Sequence, residues 1–154
     1  MPTQPPLTPV ELTAPAPSPV LQTVPVAALR VLLADDNLTF LASVKKALAM
    51  LPHTQVVGEA YDGVQALALA HYFKPDLVLL DIVMPGKTGL EVAKTMQSWP
   101  QAPKILFLSM HDNDAYRSAA IAMGALGLVG KANFMVELLP IVASLACPRT
   151  VLPS

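Results

Sequence analysis

Short apolar runs alternate with stretches of helical spacing from residue 28 to residue 147, and this order limits the fold more than any other feature. Strands that are joined through helices run parallel, and the helices then cover both faces of the sheet. Pro52 is expected to stop the first helix, Asp62 to cap the second and Pro140 to kink the last. The sequence therefore predicts an α/β fold, a five-stranded parallel sheet with helices on both faces, with strands at residues 30–34, 55–58, 76–81, 104–109 and 126–129 and helices at residues 40–51, 62–73, 89–99, 112–123 and 133–147.

Polar side chains follow four of the predicted strands. Ligands bind at the carboxyl ends of the strands in sheets of this kind, so these side chains are expected to converge. Carboxylates that meet there raise each other's pKa values unless a cation lies among them. Oxygen ligands with room for water suit Mg²⁺. The converging residues are Asp35 and Asp36 after strand one, Asp81 at the end of strand three, Ser109 at the end of strand four and Lys131 after strand five.

A carboxylate, a divalent cation, an ammonium and a hydroxyl together suit phosphoryl transfer. Asp81 is the candidate nucleophile, and its attack on a phosphoryl group would give an acyl phosphate. The cation and Lys131 would neutralise charge on the phosphoryl oxygens, while Ser109 would hydrogen-bond to another oxygen. These residues predict a kind of chemistry without yet identifying a family.

Four segments that contain these residues resemble the receiver domain of bacterial two-component response regulators. They are LADDN at residues 33–37, LLDIVMPG at 79–86, LSM at 108–110 and GALGLVGK at 124–131. The resemblance covers roughly residues 29–146, and the segments at 84–91 and 110–114 are most similar to the NarL-type subfamily. The resemblance implies a flavodoxin-like (βα)₅ domain in signal transduction, phosphorylated by a sensor histidine kinase or a histidine phosphotransfer protein.

The resemblance also implies which residues hold the metal. Asp81 is the implied phosphoacceptor. Asp36, Asp81 and the backbone carbonyl of Val83 are the implied ligands of Mg²⁺. Asp35 is implied to reach the metal through water or to support the ligands from beside them.

On the phosphate side, the resemblance implies that Ser109 is the switch hydroxyl and Lys131 the lysine that pairs with the phosphate. Two positions depart from the family pattern. Strand five of the family usually carries an aromatic ring that moves inward with the switch hydroxyl, and this chain has Leu128 there. The coupling of the switch is therefore expected to be weaker or different. Ala132 follows Lys131 where the family often has proline. Without proline a cis peptide bond costs about 2.5–4 kcal/mol, so the resemblance does not fix the geometry of this loop.

Each site residue also has a simpler interpretation. One of Asp35, Asp36 and Asn37 could cap the following helix with no metal present. Ser109 could hydrogen-bond to the backbone at a strand end, and Lys131 could lie in solvent. The combination of these residues at matching strand ends favours the phosphoryl site.

Two other functions compete with a phosphorylation switch. A haloacid-dehalogenase-like phosphatase also forms an aspartyl phosphate beside Mg²⁺, but it needs an acid two residues after the nucleophile, where this chain has Val83. No enzymatic activity is therefore expected beyond self-phosphorylation and autodephosphorylation. The second alternative is a receiver-like module that binds partners independently of phosphorylation, and Leu128 keeps this alternative open.

Proline content sets the expected domain boundaries. Eight of the sixteen prolines lie within residues 1–27, which predicts a disordered proline-rich tail. The receiver domain is expected at residues 28–147, followed by a tail or the start of a linker at residues 148–154.

Charge and cysteine content limit the expected partners and compartment. The net charge is −1 and the basic residues are scattered, so no binding of nucleic acid by this chain is expected. One cysteine and no apolar run of membrane-spanning length predict a cytoplasmic protein without a membrane partner. Besides the kinase, the expected partner is an unknown output protein or a C-terminal DNA-binding domain of a longer chain, with a homodimer as a further possibility.

Overall fold

Five strands form one sheet in the part of the chain that the computed structural model describes, residues 22–23, 28–110, 114–146 and 150–151. These strands are β1 (Leu29–Ala34), β2 (Thr54–Ala60), β3 (Leu77–Asp81), β4 (Lys104–Ser109) and β5 (Gly127–Gly130). Their order across the sheet is β2-β1-β3-β4-β5, and every neighbouring pair is parallel. The predicted five-stranded parallel sheet is confirmed.

A helix follows each strand. The helices are α1 (Leu38–Leu48), α2 (Gly63–Phe73), α3 (Gly89–Gln97), α4 (Asp114–Ala122) and α5 (Phe134–Leu145), and a 3₁₀ turn at Lys131–Asn133 precedes α5. Among the described residues, none of these helices combines the length and apolar character that a membrane crossing requires. Helix α5 continues through Pro140, and the predicted kink there stays a prediction.

The end of α1 differs from the sequence-based expectation. The apolar spacing predicts a helix to Leu51 that Pro52 stops, but α1 ends at Leu48. Its last turn tightens, because the N–H groups of Met50 and Leu51 donate to carbonyl oxygens only three residues earlier, at 3.1 and 3.0 Å. The prediction that Pro52 stops this helix was therefore wrong.

The sheet buries apolar side chains on both of its faces. In β1, Val31 and Leu33 belong to a cluster that includes side chains of α1 and α5. Leu32 and Ala34 alternate with them and belong to a cluster that includes side chains of α2, α3 and α4. This alternation follows from the two-residue period of a strand. The predicted helices on both faces of the sheet are confirmed.

Three helices begin at polar caps that follow the carboxyl ends of strands. Asn37 caps α1, and Asp62 caps α2 by accepting the N–H of Gln65 at 2.8 Å, as predicted. Thr88 and Glu91 form a capping box at the start of α3. These caps fix the helix starts beside the edge of the sheet where the predicted site residues lie.

A short pairing lies outside the main sheet. Gln22–Thr23 pairs antiparallel with Thr150–Val151. Gln22 and Thr23 lie within the segment predicted to be a tail, and neither is a proline, so both N–H groups are available for a ladder. The remainder of residues 1–27, residues 147–149 and residues 152–154 lie outside the described residues, and the predicted disordered tail stays a prediction.

Helix α3 starts in direct contact with the backbone of Asp81. The N–H of Gly89 donates to the carbonyl of Ile82 at 2.7 Å. A Cβ atom at Gly89 would lie 2.1 Å from the carbonyl oxygen of Asp81. Only glycine leaves room for this approach, which holds the end of β3 against the start of α3.

We expect Gly89→Ala to lower the free energy of unfolding by about 3 kcal/mol or more, since the added methyl meets backbone rather than a movable side chain. Urea unfolding followed by circular dichroism measures this loss. Gly58→Ala is the matched control: its Cβ would meet side-chain atoms of Phe73 and Leu32 at 3.1–3.3 Å, which can shift. Equal, small losses in both variants would contradict the proposed role of Gly89.

Candidate functional site

Asp81 ends the central strand of the sheet, and only 4% of its surface is exposed. One carboxylate oxygen, Oδ1, accepts the N–H of Val83 at 3.2 Å. The other, Oδ2, accepts a hydrogen bond from Nζ of Lys131 at 3.1 Å. Val83 itself is exposed, in the loop that leaves β3.

Asp35 and Asp36 follow β1, the strand beside β3. Asp35 is fully buried; its Oδ1 accepts the N–H of Asn37 at 2.8 Å, and its Oδ2 lies 2.5 Å from Nζ of Lys131 in an ion pair. Asp36 is exposed. Because Asn37 caps α1, neither aspartate serves as the cap. Of the three residues that could cap α1, only Asn37 does so.

Lys131 follows β5 and begins the 3₁₀ turn. Its side chain is buried between the carboxylates of Asp35 and Asp81, so the interpretation that it lies in solvent was wrong. The face of the Phe40 ring lies 4.8 Å from Nζ. None of the peptide bonds in the described residues is cis, so the turn that contains Ala132 forms without one.

Ser109 and Leu128 occupy neighbouring strands. Ser109 is the buried last residue of β4 and pairs with Gly130, the residue before Lys131. Leu128 is buried in the cluster that contains α2, α3 and α4, and its carbonyl accepts a hydrogen bond from Arg117 at 3.0 Å. The position that usually carries the family's aromatic ring is therefore filled here by a packed leucine.

The site carries more negative than positive charge. Carboxylate oxygens of Asp35, Asp36 and Asp81, one from each residue, lie within 4.8 Å of one another. Burial, and then repulsion from Asp35, raise the pKa of Asp81 from 3.8 to about 6, although Lys131 acts in the opposite direction. One ammonium does not balance three ionised carboxylates. The donor set, all oxygen and open on the side of Asp36, fits Mg²⁺.

A family model of the response regulator receiver domain matches residues 31–143. The chain belongs to this family. The receiver domain is 37% identical over 122 residues to the Probable transcriptional regulatory protein NarL of Mycobacterium tuberculosis (strain ATCC 25618 / H37Rv), covering 79% of this chain and 56% of that protein. It is 36% identical over 101 residues to the Nitrate/nitrite response regulator protein NarL of Escherichia coli (strain K12), covering 66% of this chain and 47% of that protein. The chain spans about half the length of these relatives.

Solved structures show the same fold. The signal receiver domain of NarL from Mycobacterium tuberculosis aligns with a TM-score of 0.73 at 36% identity, covering 79% of this chain and 98% of that one. The isolated REC domain of RcsB from Salmonella enterica serovar Typhimurium, in the presence of phosphomimetic BeF₃⁻, aligns with a TM-score of 0.71 at 26% identity, covering 77% and 88%. The predicted resemblance to the receiver family, with NarL-type relatives, and the predicted (βα)₅ fold are confirmed.

Two contacts that shape the site were not anticipated from the sequence, although Asn37 was among the candidate caps. Asn37 holds Asp35 through its N–H and caps α1 through its side chain. Phe40 lies at the start of the predicted first helix, and its ring faces Lys131. The spacing of Phe40 and Lys131 gives no signal for this contact, because the two residues meet only when α1 packs beside the start of α5.

The raised pKa of Asp81 predicts a pH-dependent stability in EDTA. Between about pH 4 and pH 6 the folded state retains a proton that the unfolded state has lost, so the contribution of Asp81 to the free energy of unfolding falls as pH rises. A pKa difference of about two corresponds to roughly 3 kcal/mol at most. We therefore expect Asp81→Asn to be more stable than the wild type at about pH 7.5, with a smaller advantage at about pH 4.

Urea unfolding of both proteins at the two pH values measures this difference. Asp62→Asn is the control, since asparagine also caps a helix and Asp62 lies outside the acidic cluster. An Asp81→Asn advantage that does not change with pH, or a less stable variant near neutral pH, would contradict the electrostatic account.

Proposed function

We propose that this receiver domain accepts a phosphoryl group on Asp81 from a sensor histidine kinase or a histidine phosphotransfer protein, with Mg²⁺ bound at the acidic cluster. The observation that carries the proposal is the buried ammonium of Lys131 between Asp35 and Asp81, with Asp36 within reach of both. This arrangement gathers a nucleophile, further metal-binding carboxylates and a phosphate-binding cation at the end of the central strand.

The transfer is a substitution at phosphorus. A carboxylate oxygen of Asp81 forms a bond to the phosphorus atom while the bond from phosphorus to the donor nitrogen breaks, and the donor imidazole retains the electron pair and takes a proton. Asp81 then carries an acyl phosphate, and the negative charge lies on the phosphoryl oxygens instead of the carboxylate. Lys131 donates to a phosphoryl oxygen in place of Oδ2 of Asp81, while its ion pair with Asp35 anchors it nearby. Ser109, buried at the end of β4, supplies a hydroxyl for another phosphoryl oxygen.

Asp36, Asp81 and the backbone carbonyl of Val83 would hold Mg²⁺, with Asp35 acting through water or from beside these ligands. The cation supplies charge neutralisation for the phosphoryl oxygens during transfer. The exposure of Asp36 and Val83 gives the ion and the phosphodonor access from solvent, whereas burial of Asp35 keeps one carboxylate fixed.

The output follows from the same site. Phosphorylation would shift the balance between two conformations of the surface formed by α4, β5 and α5. Leu128 carries no ring to move inward, so the coupling differs from the usual aromatic arrangement. The relatives are named as transcriptional and response regulators. We propose that the output is either a DNA-binding domain of a longer chain or a separate partner protein, with homodimer formation as a further means of output.

A second candidate is a receiver-like module that binds its partner independently of phosphorylation. The observation that favours it is Leu128, which is packed in the core instead of presenting a mobile aromatic side chain. Hydrolysis of an external phosphate ester is disfavoured, because the residue two positions after Asp81 is Val83 and carries no acid. Self-phosphorylation and autodephosphorylation are the only chemical steps in the proposal.

Incubation with acetyl phosphate and Mg²⁺ tests the phosphorylation proposal. We expect intact-mass spectrometry to show the gain of one phosphoryl group, lost when EDTA replaces Mg²⁺ and absent in Asp81→Asn. Asp62→Asn should be labelled like the wild type. Labelling of Asp81→Asn to the same extent would refute the assignment of Asp81. A folded wild type that gains no phosphoryl group from acetyl phosphate or from a histidine phosphotransfer protein would favour the phosphorylation-independent module.

A further inference from the structure

Lys131 has an aromatic neighbour in addition to its two carboxylates. Its Nζ lies 2.5 Å from Oδ2 of Asp35, 3.1 Å from Oδ2 of Asp81 and 4.8 Å from the centroid of the Phe40 ring. The ring distance is within the range of a cation–π interaction, which strengthens when the cation is removed from water. The Lys131 side chain is only 6% exposed, so little water solvates its ammonium. The contact with the ring is correspondingly stronger.

The acidic loop itself fixes the backbone of Phe40. Oδ1 of Asp35 accepts the N–H of Asn37 at 2.8 Å, and Oδ1 of Asn37 accepts the N–H of Phe40 at 3.0 Å. The ring of Phe40 then contacts Lys131, and Lys131 returns to Asp35 through their ion pair. These four residues form a closed circuit of contacts, so the loop that supplies the aspartates also sets the position of the ring.

Phe134 fixes the ring from the other side. It is the first residue of α5, three positions after Lys131, and its ring lies 5.2 Å from that of Phe40 at an interplanar angle of 73°. This edge-to-face geometry is favourable for two aromatic rings. The pair lies where α1 packs beside the start of α5, so both helices help to keep a ring face toward the ammonium.

We propose that Phe40 is a positioning residue for Lys131, whose ring holds the ammonium toward the phosphoryl site, and that Phe134 keeps the ring in place. The effect on phosphorylation rests on the proposed function, whereas the contact between ring and ammonium is a property of the unmodified protein. When Asp81 becomes an acyl phosphate, Lys131 loses a carboxylate partner but keeps Asp35 and the ring. Because these two partners stay in place, the ammonium can bind a phosphoryl oxygen without first being solvated by water. In this chain an aromatic side chain of α1 thus contacts Lys131, whereas β5 carries Leu128 at the position where the family usually has an aromatic ring.

The first experiment observes the contact without phosphorylation. Protein labelled with ¹³C at the lysine ε position gives one NMR signal for Lys131, identified by its absence in Lys131→Met. Protons above an aromatic face are shielded, so we expect the Lys131 ε-protons to lie upfield of those of exposed lysines such as Lys45. Phe40→Leu should remove this shift and Phe40→Tyr should retain it. Phe73→Leu, which removes a half-buried ring outside the site, should leave it unchanged. An equal Lys131 shift in wild type and Phe40→Leu would overturn the proposal.

The second experiment measures the rate of phosphorylation by acetyl phosphate at saturating Mg²⁺. We expect Phe40→Leu to react about fivefold more slowly, the size of a cation–π contribution at a partly desolvated site. Phe40→Tyr should react at nearly the wild-type rate. Phenylalanine analogues with increasing numbers of fluorine atoms at position 40 nearly preserve the ring's size while they weaken the negative charge of its face, so they should slow the reaction progressively.

These outcomes separate positioning from packing. A fluorinated series that reacts at the wild-type rate would show that Phe40 only fills space, and this would overturn the proposal even if Phe40→Leu fails to fold. A wild type that is not phosphorylated at all would refute the proposed function instead, and the NMR shift alone would then decide whether Phe40 positions Lys131.

Discussion

The ion pairs of Lys131 with Asp35 and Asp81 are the interactions on which the site depends. Burying charged groups is costly, and a buried pair is seldom retained for stability alone. Here the stability of the sheet offsets that cost. The three residues lie at the carboxyl ends of β1, β3 and β5, and the apolar clusters on both faces of the sheet stabilise these strands. Burial and then repulsion from Asp35 raise the pKa of Asp81, although Lys131 acts in the opposite direction. A site with excess negative charge gains from a divalent cation, and the phosphoryl oxygens of an acyl phosphate at Asp81 would need the same neutralisation.

Short-range contacts in the loops after β1 and β3 position the residues of the site. Asn37 orients Asp35 while it caps α1, and Gly89 lets the start of α3 approach the backbone of Asp81. These contacts fix the ends of β1 and β3 against the helices that follow them. The same loops leave Asp36 and Val83 exposed, whereas Asp35 and Asp81 are buried.

The sequence was sufficient for the sheet and for the residues at its edge, because burial on both faces gives strands such as β3 a continuous apolar run. It failed where the outcome depends on contacts between distant segments or on local hydrogen bonding. The apolar spacing that reaches Leu51 could not reveal the tight turn that ends α1 at Leu48. The contact of Phe40 with Lys131 joins residues far apart in the chain, and no periodicity encodes it. The switch role of Ser109 and the role of the Val83 carbonyl were taken from the family resemblance and remain part of the proposal.

Chemical trapping can locate the phosphoryl group that we assign to Asp81. Borohydride reduces an aspartyl phosphate to homoserine, and peptide mass spectrometry then locates the modified position. After treatment with Mg²⁺ and acetyl phosphate, we expect homoserine at position 81 and nowhere else, and none when EDTA is present. Reduction at Asp35 or Asp36, or no reduction in folded protein that has gained a phosphoryl group, would contradict this assignment.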